Sequence, residues 1–444
     1  MMNLIASTAF GVESCVAFEI KKLGAENVEV KNGRVDFKGD FETVAKANMH
    51  LRCAERVFIN MGEFKALTFE DLFQGTKAIA WEEFLPIDAC FPVSGKSVKS
   101  TLHSVPDCQA IVKKAIVERM KSVYNKDWFE ETGPLFKIEI SILNDIALLT
   151  IDTSGAGLHK RGYRELAVKA PIKETLACAL IDLSRWKPDR ALLDPFCGSG
   201  TIAIEAAMIG KNIAPGLNRE FDFEKWPSVD KSMVENIRDE ARNAVLSDEE
   251  ANLRIYASDI DYFAVKQAEK NAELAGVAGC IHFQKSDYSN TASRFSKGFI
   301  VTNPPYGERL EDEGYAIDLY RGMGKHFKTF DDWSYFVITS NKFFEKYFGQ
   351  YADKRRKLYN GRLECCFYQY FKKEGKIIKS EPYAEGKKSD KPQHKMHANE
   401  KTVKYKSDAD RKYDKKTDKK ILKTGEKISK KIYTNRKNSD KITR

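Results

Sequence analysis

Asn303-Pro304-Pro305-Tyr306 follows the run GFIVT, and no other feature constrains this chain as tightly. Two consecutive prolines offer no N–H to a strand ladder, so the strand must end there and the chain must leave the sheet rigidly. That rigidity aims the Asn303 side-chain oxygen and the Pro304 carbonyl at one point and leaves the Tyr306 ring as a stacking platform. Upstream, three further apolar runs each end in a carboxylate. ALLDPFCGSGTIAIEAAMIG, residues 191–210, reads as strand, glycine-bearing loop and helix; RIYASDID carries Asp259 and CIHFQKSDYSN carries Asp287. Strands alternating with helices of ten or more residues are the mark of βαβ units and a parallel sheet, whose ligands sit at the carboxyl ends of the strands.

The loop after the first of these strands is neither the G-x-G-x-x-G dinucleotide pattern nor a phosphate-cradling P-loop. Its D-x-F-x-G-x-G spacing suits a strand-end carboxylate, Asp194, facing a cationic ligand, with Phe196, Gly198, Gly200 and Thr201 around it. Asp259 is placed to accept both hydroxyls of a ribose, Ile260 to cover a purine face, and Asp287 to accept from an adenine amino group. Taken singly, the glycine loop also reads as a tight turn, and Asp259 as a surface carboxylate. Their order before Asn303 decides between the readings. The chemistry such a set serves is methylation of a planar exocyclic amine. The amine lone pair is delocalised into the base, and two acceptors holding its N–H hydrogens localise it. Positioning and electrostatics then suffice, with no general base of unusual pKa.

Composition places these motifs within a larger protein. The chain has 444 residues, 42% hydrophobic, enough for about two or three domains. Its nine cysteines are odd in number and form no C-x-x-C pair, which argues against a disulfide framework or a zinc ribbon and for a reducing cytoplasm; no metal site is expected. The N-terminus lacks the basic and apolar regions of a signal peptide. The net charge of +10 is unevenly spread: residues 373–444 carry +13 and the preceding chain −3. That lysine-rich tail lacks Phe and Trp and reads as disordered. A solvated extension and a polyanion-binding arm are both open for it.

Before the parallel-sheet region lie two α+β units. The first has strand LIAST, a helix ending on Gly24, the strands NVEVKN and GRVDFKG across Asn32-Gly33, and a helix FETVAKANMHL. The second, from about 61, has a helix near DLFQGTKAIAW, the extended basic piece FPVSGKSVKSTLHS, a helix from Asp107, and strands LFKIEISIL and IALLTIDTS. Lys96, Lys99, Ser100, His103, Lys113 and Lys114 there form a set suited to phosphate contacts, although helix-face lysines also stand simply solvated. The polar stretch GAGLHKRGYREL reads as a linker, from which Arg161 could reach RNA. Arg309, just after Tyr306, suits RNA or a surface ion pair.

DPFCGSGT, SDID and TNPPYGERL, in this order, resemble motifs I, II and IV of class I S-adenosylmethionine-dependent methyltransferases acting on amino groups. KAPIKETLACAL (169–180) resembles the segment preceding motif I, and NIAPGLNREFDFEKW (212–226) a family-specific insertion. SGKSVKSTLHSVPDCQAIVKKAI resembles a THUMP RNA-binding module, and the opening unit the ferredoxin-like domain that precedes it. The whole is similar to the THUMP-containing guanine-N2 methyltransferases, most closely those acting on large-subunit (23S) ribosomal RNA. The resemblance implies an α/β fold: a ferredoxin-like domain (1–60), a THUMP domain (61–158), a linker (159–168), a Rossmann-like methyltransferase domain (169–372) and the disordered tail (373–444). It also implies S-adenosylmethionine as cofactor and RNA as partner, with Asn303, Pro304 and Tyr306 at the target guanine. Cofactor contacts are implied at Asp194, Phe196, Gly198, Gly200, Thr201, Asp259, Ile260, Asp287 and Asn303. Methylation of tRNA, adenine-N6 methylation of DNA or RNA, and a non-catalytic RNA-binding role are the alternatives. The THUMP-like region argues against DNA, and the intact motifs argue against loss of catalysis.

Overall fold

In the computed structural model, residues 1–164, 172–307 and 310–372 are described; Arg309, the end of the expected linker and the lysine-rich tail lie outside them. The first half builds β1 (Met2–Ser7), α1 (Glu13–Lys22), β2 (Glu26–Lys31), β3 (Arg34–Gly39), α2 (Phe41–His50), β4 (Arg56–Lys65), α3 (Phe69–Lys77), β5 (Val93–Val98), α4 (Val105–Tyr124), β6 (Lys137–Leu143) and β7 (Ile146–Asp152). Local chemistry explains the boundaries. Asp40 and Thr68 close capping boxes at the starts of α2 and α3, and Gly24, with φ +78°, follows α1 where a left-handed residue ends a helix cheaply.

These strands form one seven-stranded sheet in the order β2-β3-β1-β4-β7-β6-β5, antiparallel except for the β5–β6 pair. The expected domain boundary at residue 60 falls inside β4, which pairs with β1 on one side and β7 on the other. The ferredoxin-like and THUMP units therefore share a strand and a continuous hydrogen-bond ladder.

The second half builds α5 (Glu174–Ser184), β8 (Leu192–Asp194), α6 (Thr201–Gly210), α7 (Lys231–Asn243), α8 (Asp248–Ala251), β9 (Ile255–Asp259), α9 (Tyr262–Leu274), β10 (Ile281–Lys285), β11 (Phe299–Thr302), α10 (Leu310–Phe327), β12 (Ser334–Thr339), α11 (Phe344–Phe348), β13 (Lys354–Asn360) and β14 (Leu363–Tyr370). Its sheet runs β10-β9-β8-β11-β12-β14-β13, parallel through β12, with β14 antiparallel and β13 at the edge. The strand order reverses between β8 and β11, the switch point at which open α/β sheets bind ligands.

The two halves share one hydrophobic core, in which Ile151 and Phe136 of the first join Leu176, Phe223 and Trp226 of the second. The 212–226 insertion makes the junction. Trp226 stacks on Phe136 at 4.6 Å and donates its indole N–H to the Leu135 carbonyl, and the Gly216 N–H bonds the Met49 carbonyl. A Cβ on Gly216 would lie 2.8 Å from the Asn48 carbonyl oxygen, so only glycine allows this approach. Arg219 donates to the carbonyls of Ala156, Gly157 and Lys160, locking the linker against the insertion.

Candidate active site

A cavity of about 900 Å³ opens at the switch point. Four adjacent parallel strands deliver its polar groups. Asp194 ends β8, Asp259 ends β9, Asp287 follows β10 by two residues, and Asn303 follows β11 directly. All four line the cavity together with Phe196, Gly198, Thr201, Ile260, Pro304 and Tyr306.

Asp194 is 1% exposed, and its Oδ1 accepts from the Thr302 hydroxyl at 2.7 Å and the Phe196 N–H at 3.3 Å. Burial pushes its pKa up to about 7, against the stabilising bonds from Thr302 and Phe196. Among the described residues no cationic side chain pairs with it, and a buried carboxylate so placed at a cavity wall is a receptor for a cation. Asp259 is fixed by two backbone donors, Gly198 N–H on Oδ2 at 2.9 Å and Asp261 N–H on Oδ1 at 3.0 Å. The glycine loop is thus tied across to the next strand end, with the remaining lone pairs of Asp259 available to a diol. Gly198 has φ +50° and no atom within 4 Å of where a Cβ would stand, so the missing side chain is cavity space. Ile260 is 60% exposed beside it, an apolar side chain awaiting a cover. Phe196 stacks on Tyr288 at 5.3 Å, which closes the cavity's far wall. This cradle, with a cation-seeking carboxylate at one end and a diol-seeking one at the other, fits S-adenosylmethionine.

Two expectations change. Gly200 does not line the cavity; it starts α6 at φ +82°, with Ala268 Cβ 2.9 Å from where its own Cβ would be. Its role is the turn and the close helix packing. Tyr306 is no free platform. Its ring is half-buried against the core, its hydroxyl donates to Asn303 Oδ1 at 2.5 Å, and the Cys365 thiol lies 3.8 Å away. Burial and the neighbouring thiol push the phenol well above its ordinary pKa, so it is a permanent donor that fixes the Asn303 amide and leaves one Oδ1 lone pair toward the cavity. Tyr320 pins the following turn by donating to the Pro305 carbonyl at 2.8 Å.

The residues expected at RNA divide. Lys99, His103 and Lys114 stand exposed around β5 and α4. Lys96 pairs with Glu139 at 2.7 Å on the surface, a contact weak enough to exchange for phosphate. Ser100 spends its hydroxyl inside its loop, donating to Val98 and accepting from Asp145. Lys113 lies over the Phe91 ring and bonds Glu131 at 2.6 Å and the Phe91 carbonyl at 3.0 Å, a structural tie. Arg161 is corrected outright: its side chain is 1% exposed, donates to the Leu158 and Arg52 carbonyls and faces Glu205 at 3.5 Å. A guanidinium so enclosed anchors the linker and cannot meet RNA.

Sequence reading missed Tyr315, Asn360 and Arg362 on the cavity wall. The last two sit on the β13–β14 hairpin, whose Asn360-Gly361 turn, with Gly361 at φ +64°, was a legible signal. Their arrival at the site was not.

A strand order reversing at β8 and β11, with acidic strand ends around one cavity, defines a class I methyltransferase. Comparison with known proteins agrees. The RlmL ferredoxin-like domain matches residues 3–58, the THUMP domain 66–152, and the RMKL-like methyltransferase domain 161–369. The Bacillus subtilis (strain 168) protein named "Putative RNA methyltransferase YpsC" is 50% identical over 373 residues, 84% of this chain and 96% of its own. The crystal structure of SMU.472 complexed with SAH is 46% identical with a TM-score of 0.80, covering 84% of this chain and 99% of that one. A crystal structure from Listeria monocytogenes str. 4b F2365, described as a "predicted N6-adenine-specific DNA methylase", is 50% identical with a TM-score of 0.78, over 83% and 96% of the two chains. The chain belongs to the THUMP-containing RMKL-like methyltransferases, and S-adenosylmethionine is its methyl donor.

Proposed function

We propose that this enzyme methylates the exocyclic N2 amine of a guanine in RNA, in large-subunit 23S ribosomal RNA. The observation that carries the reading is the convergence of Asp194, Asp259, Asp287 and Asn303 in one cavity beneath the hairpin that carries Arg362. S-adenosylmethionine supplies a methyl group on a sulfonium leaving group. Asp194 meets the cationic methionine end, Asp259 the ribose diol, and Ile260 and Asp287 the adenine. Asn303 Oδ1, held by Tyr306, and the Pro304 carbonyl accept the two N–H hydrogens of the target amine. Holding both draws the nitrogen toward tetrahedral geometry and turns its lone pair to the donor; the sulfonium leaves as the neutral thioether, and after transfer the amine proton is lost to solvent.

Two observations favour RNA guanine over adenine. The THUMP domain supplies an RNA-binding module. Arg362 brings a guanidinium to the cavity wall, which suits the O6/N7 acceptor edge of guanine and opposes the amino group adenine carries there. The adenine-N6 reading is the second, since a relative of equal identity is described as a DNA methylase.

The test is transfer of labelled methyl from S-adenosylmethionine into separated rRNA and tRNA lacking the modification, followed by nucleoside analysis, with Asn303→Ala as control. N2-methylguanosine in large-subunit rRNA, absent with the variant, is the expected result. N6-methyladenosine, or transfer into DNA alone, overturns it; N2-methylguanosine confined to tRNA moves the target and keeps the chemistry.

A further inference from the structure

The edge strand β13 opens with four consecutive cations, Lys354-Arg355-Arg356-Lys357. Arg355 is neutralised by Glu345 at 2.7 Å and Lys357 by Glu364 at 2.6 Å. Lys354 and Arg356, which strand alternation turns to the other side, have no such partner. They line a second cavity, of about 430 Å³, with Arg185 and Phe371. Among the described residues no carboxylate lies in ion-pair reach of Arg185, Lys354 or Arg356. The acid in the cavity wall, Asp182, is engaged by the Cys15 thiol, and Asp353 nearby accepts the Phe371 N–H at 2.7 Å.

The three cations are held in place. The Arg185 guanidinium and the Lys354 ammonium lie 5.6 and 5.8 Å from the centroid of the Phe371 ring, and Arg356 donates to Ser14 Oγ at 3.2 Å. Arg185 sits at the end of α5 in the left-handed region, φ +62°, a position that glycine takes at less cost. Three cations face the one carboxylate of Asp182 in this cavity wall, and an anion relieves the repulsion that remains. Along the same face of β13, Lys354 leads to Arg356 and then to Asn360 on the active-site wall, about 20 Å at the rise of a strand. Between them on that face stands the buried Leu358, while Tyr359, turned to the opposite face, meets the 56% exposed Phe10 edge-on at 6.1 Å.

We infer that the Arg185–Lys354–Arg356 cavity binds a backbone phosphate of the RNA substrate, and that β13 carries the strand flanking the target nucleotide toward the active site. The inference rests on the RNA substrate of the preceding reading. The ligand chemistry is a phosphate anion, which RNA or free phosphate could supply.

The experiment uses the full chain and a fluorescent, mixed-sequence single-stranded RNA of about 20 nucleotides. Lys354→Ala combined with Arg356→Ala removes two phosphate contacts; the slope of log affinity against log salt is expected to fall by about 1.4, and affinity by about tenfold at moderate salt. Arg185→Gly, which removes the charge while relaxing the backbone, is expected to weaken RNA by about threefold at unchanged or raised thermal midpoint. The reciprocal Lys354→Arg and Arg356→Lys variants should retain wild-type affinity, and S-adenosylmethionine binding should be unaltered throughout. Unchanged RNA affinity and slope in both charge-removing proteins overturns the inference. So does a loss of inorganic phosphate binding in these variants without loss of RNA, which makes the cavity a small-anion site. If RNA binding depends on these residues but no RNA accepts methyl, the surface stands and the catalytic reading falls.

Discussion

Asp194 shows how far one residue's surroundings set its chemistry. Burial raises its carboxyl to about 7, above the unfolded value near ~3.9. The sign follows: a raised acid favours the folded state below about pH 4, and that contribution is lost as pH rises through about 7. A cationic ligand selects the ionised form, so affinity for S-adenosylmethionine should fall by up to about tenfold per pH unit below 7. Calorimetry across this range checks it; in Asp194→Asn affinity should be weak and flat with pH, and unliganded stability should no longer decline between pH 5 and 7 relative to wild type. Asn303→Ala should lower the rate of transfer by at least about a hundredfold at saturating S-adenosylmethionine, measured by single-turnover assay on unmodified RNA. Arg362→Ala should weaken guanine substrate by about 1–3 kcal/mol, read as kcat/KM, with cofactor affinity unchanged. The motif residues were legible because each ends a strand in a recognisable turn. Arg362 was not, since only the pairing of β13 with β14 carries it to a cavity whose other walls come from residues 172–315.

At the scale of elements, the insertion 212–226 is the part whose meaning changed most. It resembles a family-specific stretch in sequence, and its composition, rich in aromatics, gives no partner. Folded, it is the fastening between the two sheets, because Trp226 fills a slot made by Phe136 and Phe41, far away in the chain. Trp226→Ala leaves a large cavity there and should cost about 3–5 kcal/mol in chemical denaturation, with the two halves unfolding in separate transitions where the wild type unfolds in one. The linker behaves alike. Its basic residues suggested RNA, yet Arg161 neutralises Glu205 within a fully buried set that includes Tyr163 and Cys178. Removing one partner of a buried pair strands the other charge, so Arg161→Ala should destabilise by about 3–5 kcal/mol, seen in denaturant titration. A guanidinium contacting RNA would instead have left stability intact.

For the whole molecule, charge and fold divide the work. The body through residue 372 carries a net charge of −3 while the remaining chain carries +13. A protein ending at residue 372 should bind S-adenosylmethionine as the full chain does and lose RNA affinity chiefly at moderate salt, with a shallower salt slope in an anisotropy titration. Equal slopes would make the extension a solvated appendage. The order of motifs, the alternation of strands with helices, the split charge and the turn chemistry were determined by the sequence alone, because each depends on residues near one another in the chain. Which cations remain free, which aromatic is pinned, where the hairpin tip lands and that β4 is shared by two units were decided only by tertiary structure. These depend on partners up to more than a hundred residues apart, such as Arg161 with Arg52 and Asn48 with Thr153, whose meeting no local pattern encodes.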